Sequence, residues 1–237
     1  MPRVSFPVAM LRRYPVKGMG GESLSTLRLD RRGVTGDRWY AVEDGDGRFA
    51  SGRDGQRTVH RAAVFAYAAR TDAGRVLVTG GEGSWRVGDP GLDAELSAAM
   101  GTAVTVRAEG EVPHLEAGQV SLVGTASLEW CRHHLGVDAD PRRLRPNIVL
   151  RTSVPFVEET WVGMVLTLGS TELRVAERIE RCPTVDLAQD GVTTTTPFLR
   201  ALAEERDLCL GVYAMVEHPG EVALGDETSV RRTLRRD

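Results

Sequence analysis

The stretch Thr171-Glu172-Leu173-Arg174-Val175-Ala176-Glu177-Arg178-Ile179, running into Glu180-Arg181-Cys182-Pro183-Thr184-Val185-Asp186, decides how this chain is read. The first part reads as a strand. Pro183 halts any continuation and leaves Cys182 in a turn, with an arginine on one side and an acid four residues on. Positive charge beside a thiol favours the thiolate, the form that binds soft metals or attacks electrophiles. On residue statistics alone Cys182 reads as a buried structural cysteine. Other segments of the chain change that reading.

Outward from this stretch the chain is rich in short strands. Val4 to Leu11 forms an entry strand, with Pro7 marking an edge or a bulge. Ser23 to Leu29 is a second strand, and Arg38 to Glu43 and Arg48 to Ala50 flank the hairpin turn Asp44-Gly45-Asp46-Gly47. That turn lacks the ligand spacing and distal glutamate of a calcium loop. Val59 to Arg70 pairs with Arg75 to Thr79 across Thr71–Gly74. Asn147 to Arg151, Trp161 to Leu168 and Cys209 to Val216 complete the strands. Helices are few. One follows Pro90 with Leu92, Leu96 and Met100 on its face and Gly101 as a stop. A second spans Thr125 to Leu135 with Thr125 as N-cap and Leu128, Cys131 and Leu135 inward. A third starts at Thr196-Pro197. The class expected is mainly β (α+β), with two barrel-like bodies, divided in the polar segment around Glu109–Pro113.

The chain has 237 residues, 41% hydrophobic and 27% charged, with a formal charge of −3, which is ordinary for a soluble globular protein. No Lys/Arg block with interleaved aromatics points to nucleic acid, and the basic run Arg231–Arg236 reads as a solvated terminus. Three dispersed cysteines without CxxC spacing argue against a zinc site or a disulfide framework. The start of the chain carries neither a signal peptide nor a long apolar run, so no membrane association and a cytoplasmic location are expected.

Three basic turns accompany the thiol. Tyr14–Gly21 places Lys17 among glycines that permit close backbone approach to a ligand. Gly33–Tyr40 carries Arg38. Arg143–Asn147 carries Arg143 and Arg145, the latter before a proline and so expected to be extended, projecting to the same side as Arg143. Together with Arg181 these turns suit one anionic ligand, a phosphate above all. Each alone reads as a surface salt bridge.

The set YPVKGMGG (14–21), GVTGDRWY (33–40), VSLVGTASL (120–128), RLRPNIVL (143–150), ERCPTVD (180–186) and GVYAMVEHPGEVALGD (211–226) resembles the MOSC proteins. It is similar to the branch with an N-terminal β-barrel-like MOSC domain, to which the mitochondrial amidoxime-reducing component and its bacterial relatives belong. The resemblance covers Leu11 to about Gly225 and implies domains at 1–108 and 109–237, with a molybdenum cofactor (Mo-molybdopterin) in the cleft between them. It implies Cys182 as the ligand to molybdenum. It implies cofactor binding by Lys17, Gly18, Arg38, Arg145, Asn147, Glu180, Arg181 and Tyr213. Gly18 stands where serine is common, leaving a backbone N–H in place of a hydroxyl. Glu116-Ala117-Gly118 replaces an acidic-Thr-Ser stretch, and the run after the cysteine is shortened, with Thr184 and Asp186 left as candidates to line the site. The activity implied is reduction of N-hydroxylated small molecules such as amidoximes, hydroxylamines and N-hydroxylated bases, with Asp186 as a candidate proton donor. No cysteine cluster for an iron–sulfur centre is present, so electrons are expected from a separate flavin reductase or ferredoxin-type protein. The alternative is a carrier of the cofactor or of sulfur without turnover. A cofactor-free cysteine hydrolase, with His60, His114 or His218 as base, has no supporting local motif.

Overall fold

The computed structural model describes residues 5–232 apart from 82, 112, 116, 194 and 195. Glu116 and the basic run beyond Arg232 therefore lie outside the described residues. The dominant element is an eight-stranded sheet. Edge to edge it runs Thr228–Arg231, Val165–Leu168, Thr171–Glu180, Cys209–His218, Val120–Gly124, Ile148–Leu150, Val8–Arg13 and Glu22–Ser23. All neighbours are antiparallel except Val120–Gly124 with Ile148–Leu150. A parallel pair needs a long crossover, and here it contains α2 (Thr125–His134) and α3 (Pro141–Leu144). Smaller sheets curl around this one: Gly220–Ala223 with Thr26–Asp30 and Gly33–Val34, Val104–Ala108 with Tyr40–Asp44, Phe49–Ser51 and Thr58–His60, and Gly83–Arg86 with Arg75–Gly80 and Ala68–Asp72. The mainly β class and the paucity of helices match the sequence reading. The remaining helices are α1 (Pro90–Met100) and α4 (Phe198–Arg206).

Packing does not follow chain order. One core joins Val120, Leu122, Leu173 and Val212 of the large sheet to Phe6, Val8, Leu11, Leu27 and Leu29 from the chain's beginning. A second core holds Val16, Met19, Val42, Val64, Val78, Leu92, Leu96 and Val106. The chain starts in the body built mostly by its second half, dips into the other body at Val16–Met19, comes back for Leu27–Val34, re-enters the other body from Val42 to Val106, and rejoins the first at Val120. The first crossing is the glycine-rich basic turn, which is why Lys17 stands at the junction. A third cluster packs α2 and α4 against the large sheet through Leu128, Cys131, Phe198, Leu202 and Leu210.

Local expectations fared unevenly. Val59–Arg70 is not one strand: a 3-10 turn at Ala62–Ala66 interrupts it, burying Val64 and Phe65. Thr125 does not cap α2. Its hydroxyl donates to Thr152 O, while the Gly124 N–H is taken by the buried Glu158 carboxylate (2.9 Å). Arg145 is not extended before Pro146. It adopts φ 55°, ψ 45° as the left-handed end of the one-turn α3. Asp44 accepts from the N–H groups of Asp46 and Arg48, so its carboxylate closes the hairpin turn.

Candidate anion and thiol cleft

Between the two bodies lies a cleft of about 720 Å³. One wall comes from Lys17, Gly18, Arg38 and the loop Arg53–Thr58. The other comes from the Arg143–Asn147 turn, the end of Thr171–Glu180, Cys182, Thr184 and Tyr213. Every sequence-predicted cofactor-binding residue borders this cleft, and so does Cys182; Asp186 does not.

The floor is built around Tyr14, which is fully buried and whose hydroxyl donates to Pro146 O. The guanidiniums of Arg145, Arg38 and Arg12 stand 4.4, 4.9 and 5.6 Å from its ring centroid. The negative face of the ring attracts cations, so one tyrosine helps to hold like charges near each other. Arg38 pairs with the buried Asp37, which also accepts from Tyr14 N (2.7 Å). Burial pushes the Arg38 guanidinium down, but its pairing with Asp37 outweighs this and raises it overall.

Arg145 is different. Its Nη2 donates to Met19 O (2.7 Å) and its Nη1 reaches Gln189 Oε1 at 3.5 Å. No carboxylate among the described residues pairs with it. Burial, reinforced by the charge of Arg38, pushes it down to about 10. Arg181 follows the same pattern. Nε and Nη2 donate to Leu210 O and Nη1 to Leu144 O, with no carboxylate partner among the described residues. Burial pushes its guanidinium down as well. Dipoles of carbonyl oxygens hold both cations in position without cancelling their charge. A buried charge left this way is costly, and an anion entering the cleft relieves the cost. Lys17 adds a third cation, its Nζ donating to His114 O (2.8 Å).

Other expected binders take up backbone work. Asn147 Oδ1 accepts from Ser121 N and Ser121 Oγ, and Nδ2 donates to Arg12 O, so the side chain ties three strands at the cleft edge. Gly18 has φ 84°, and a Cβ there would come 2.7 Å from Val64 Cγ1. A serine would not fit this backbone, so the glycine is demanded by the Val64 packing. Glu180 is exposed on the cleft wall, opposite Cys209 in the strand register. Tyr213 lies against Gly118, whose Cβ position is 2.5 Å from the Tyr213 Cβ. A side chain at position 118 would collide with the tyrosine, so the backbone of Gly118 can sit directly on it.

Asp186 corrects the expectation of a proton donor. Its carboxylate accepts from Phe198 N (2.6 Å) and Leu199 N (3.2 Å), and ion-pairs with Arg143 (3.3 Å). It caps α4 from a distance, supplying the acceptors that the N-terminal N–H groups lack. Arg143 borders the cleft beside Arg145, but its guanidinium is engaged elsewhere. It is buried over Phe198 and donates to Val185 O and Thr196 O. The sequence reading also passed over Tyr14, although it stands in the same segment as Lys17; nothing in one sequence marks an aromatic as a platform for arginines that lie far along the chain.

Cys182 is half-buried at the start of the 3-10 turn Pro183–Asp186, its Sγ 3.3 Å from Thr184 Oγ1. Among the described residues no histidine lines the cleft. His218 is 71% exposed against Glu172, and His60 is exposed. The base needed by a cofactor-free cysteine hydrolase is thus missing from this wall. No group of three or more His, Cys, Asp or Glu among the described residues is arranged to hold a metal ion. A metal here would bring most of its own ligands and take one sulfur from the protein.

A two-bodied β protein that brings several guanidiniums and a thiol to one cleft is the class that the fold and the site define. The chain belongs to the MOSC family. The MOSC domain model matches residues 95–229 and the MOSC N-terminal beta barrel domain model matches residues 5–82. A 74-residue stretch is 35% identical to the molybdenum cofactor sulfurase of Danio rerio, covering 30% of this chain and 9% of that protein. The chain thus matches about a tenth of that relative's length. Among solved structures, the YuaD protein from Bacillus subtilis superposes over 98% of both chains with a TM-score of 0.52 at 14% identity, a likeness of fold. YiiM from Escherichia coli superposes over 98% of this chain and 71% of its own, with a TM-score of 0.46 at 11% identity. Among the described residues no helix is long and apolar enough to cross a membrane.

Proposed function

We propose that the chain is a molybdenum-cofactor-dependent reductase of N-hydroxylated small molecules, working in the cytoplasm and receiving electrons from a separate flavin reductase or ferredoxin-type protein. The observation that carries the cofactor reading is the pair of guanidiniums of half-buried Arg145 and buried Arg181, which border the cleft held by carbonyl dipoles and, among the described residues, by no carboxylate. They fit a phosphate-bearing group, and the neighbouring Cys182 fits a soft metal. MOSC membership and the stretch shared with a molybdenum cofactor sulfurase support the same group.

Lys17, Arg38 and Arg145 would hold the phosphate end, with Tyr14 keeping two of them together. Tyr213 and Gly118 would lie along the pterin. Cys182 would supply the protein ligand to the metal. When bound, the cofactor supplies two-electron oxygen-atom chemistry that no side chain offers. The chain would contribute position and charge: the cations would orient an anionic scaffold beside the half-buried Cys182. Asp186, committed to α4, leaves Glu177 and Glu180 as the carboxylates on the cleft wall.

The test is metal and pterin analysis of protein made in a cofactor-producing host, followed by benzamidoxime reduction with a chemical electron donor. Near-stoichiometric molybdenum with turnover supports the reading. Bound cofactor without turnover of any N-hydroxylated substrate assigns the chain instead to cofactor or sulfur carriage. Cys182→Ala is expected to abolish metal-centred turnover and leave the circular dichroism spectrum unchanged; turnover retained in that variant refutes the ligand assignment.

A further inference from the structure

We propose that Thr184 is a positioning residue for the Cys182 sulfur, and that bare backbone at Gly52 on the opposite wall of the cleft keeps its hydroxyl in place. The inference rests on Cys182 being the working thiol of the cleft. Its geometry does not depend on which metal or substrate the cleft takes.

Cys182 Sγ and Thr184 Oγ1 are 3.3 Å apart. A hydroxyl has one donor and two acceptor sites and turns to suit its neighbour. Thr184 accepts from the thiol, and donates to the thiolate or to a sulfur bound to metal, so it holds the sulfur in every state. The backbone around the pair is fixed from both ends. Val185 N donates to Cys182 O (3.1 Å), and the buried Gln189 donates from Nε2 to Thr184 O (2.7 Å).

The other contact comes from the far body. A Cβ placed on Gly52 would lie 2.3 Å from Thr184 Oγ1 and 3.0 Å from Leu187 Cδ1. Gly52 has no left-handed φ. It is glycine because of the space the threonine hydroxyl fills, not because of its own conformation. Its carbonyl lies 3.1 Å from His60 Nδ1, and His60 N donates to Asp54 Oδ1, which anchors the loop. The same loop carries Arg53, Gln56 and Arg57 onto the cleft wall. The sulfur is therefore set by both bodies at once, through one hydroxyl seated against one glycine.

The test needs no cofactor. Full-length chain made in a host that does not produce it is treated with iodoacetamide at pH 7, where the thiolate displaces iodide and forms a carbon–sulfur bond. Mass spectrometry follows the Cys182 peptide separately from those of Cys131 and Cys209. Thr184→Val is expected to slow alkylation of Cys182 about tenfold, the scale of one hydrogen bond to a charged group. Thr184→Ser, which keeps the hydroxyl, is expected to stay within about twofold of wild type. Gly52→Ala alters no polar side chain, yet it is expected to slow the reaction as Thr184→Val does, because the methyl group displaces the hydroxyl. Alkylation of Thr184→Val or Gly52→Ala at the wild-type rate overturns the proposal, as does Thr184→Ser behaving like Thr184→Val. Because molybdenum is absent throughout, this result and the outcome of metal analysis stand apart.

Discussion

Arg12 is buried and Arg145 half-buried, and both guanidiniums stand against the ring of Tyr14. Arg12, at the seam behind the cleft, pairs with the buried Asp190 and donates to Ser23 Oγ and Gly21 O. Arg145, on the floor of the cleft, is held by Met19 O and Gln189 and pairs with no carboxylate among the described residues. Limited exposure and aromatic contact are common to the two. What separates them is whether the protein supplies the opposite charge itself. At the seam it does, and the pair locks Gly20–Gly21 to the 187–193 loop. On the floor no described residue does, and the proposed cofactor site rests on that missing charge.

That contrast breaks first at the seam. Arg12→Met leaves Asp190 buried without a partner, and removing one member of a buried pair costs about 3–5 kcal/mol. Urea denaturation is expected to show a loss of that size. A variant as stable as wild type would mean that the seam pair is no more structural than the floor cations.

On the floor the sign reverses. Arg145→Met removes a charge that burial already disfavours, so stability is expected to hold or rise, while cofactor content falls about a hundredfold for the loss of two charged contacts. Inorganic phosphate sharpens the point. It is expected to raise the melting temperature of cofactor-free wild type, since anything that binds only the folded state stabilises it, and to do so far less in Arg145→Met. Equal stabilisation of both proteins would place the anion site elsewhere.

Much of the fold could be read because its signals are local. Pro90 and Gly101 bracket α1, and Asp44–Gly47 turns its hairpin as a short-range motif should. The cleft residues were legible as basic turns around Cys182, and the fold does bring Lys17, Arg38, Arg145 and Arg181 together. What failed depends on distance along the chain. Asp186 looked like an acid near a thiol, but the N-terminus of α4, twelve residues on, claims it. Arg145 looked extended before Pro146, but tertiary contacts force the left-handed conformation that lets its side chain reach Met19 O. Gly52 carried no signal, because its reason for being glycine is a threonine hydroxyl 132 residues away.

His114 provides the smallest and most discriminating test, because it is a third buried, positively chargeable group that the protein answers in yet another way. It is 3% exposed, its ring is edge-on to Phe49, and its Nδ1 has no hydrogen-bond partner among the described residues. Burial pushes its pKa below the ordinary histidine value; the carboxylate of Glu109 pulls it up, and Lys17 and Arg32 push it further down. Here the protein neither pairs the charge nor leaves it for a ligand, but keeps the ring neutral. As pH falls through about 6.5, the unfolded chain takes up a proton that the folded chain refuses, so stability declines from that point downward and is unaffected above it. The slope from this one group cannot exceed about 1.4 kcal/mol per pH unit. Urea midpoints at pH 7.0, 6.0 and 5.5 are expected to fall more steeply in wild type than in His114→Gln, whatever the variant's stability at pH 7. Parallel slopes would show that His114 takes up its proton in the folded state. Arg12, Arg145 and His114 would then sort by something other than the source of their counter-charge.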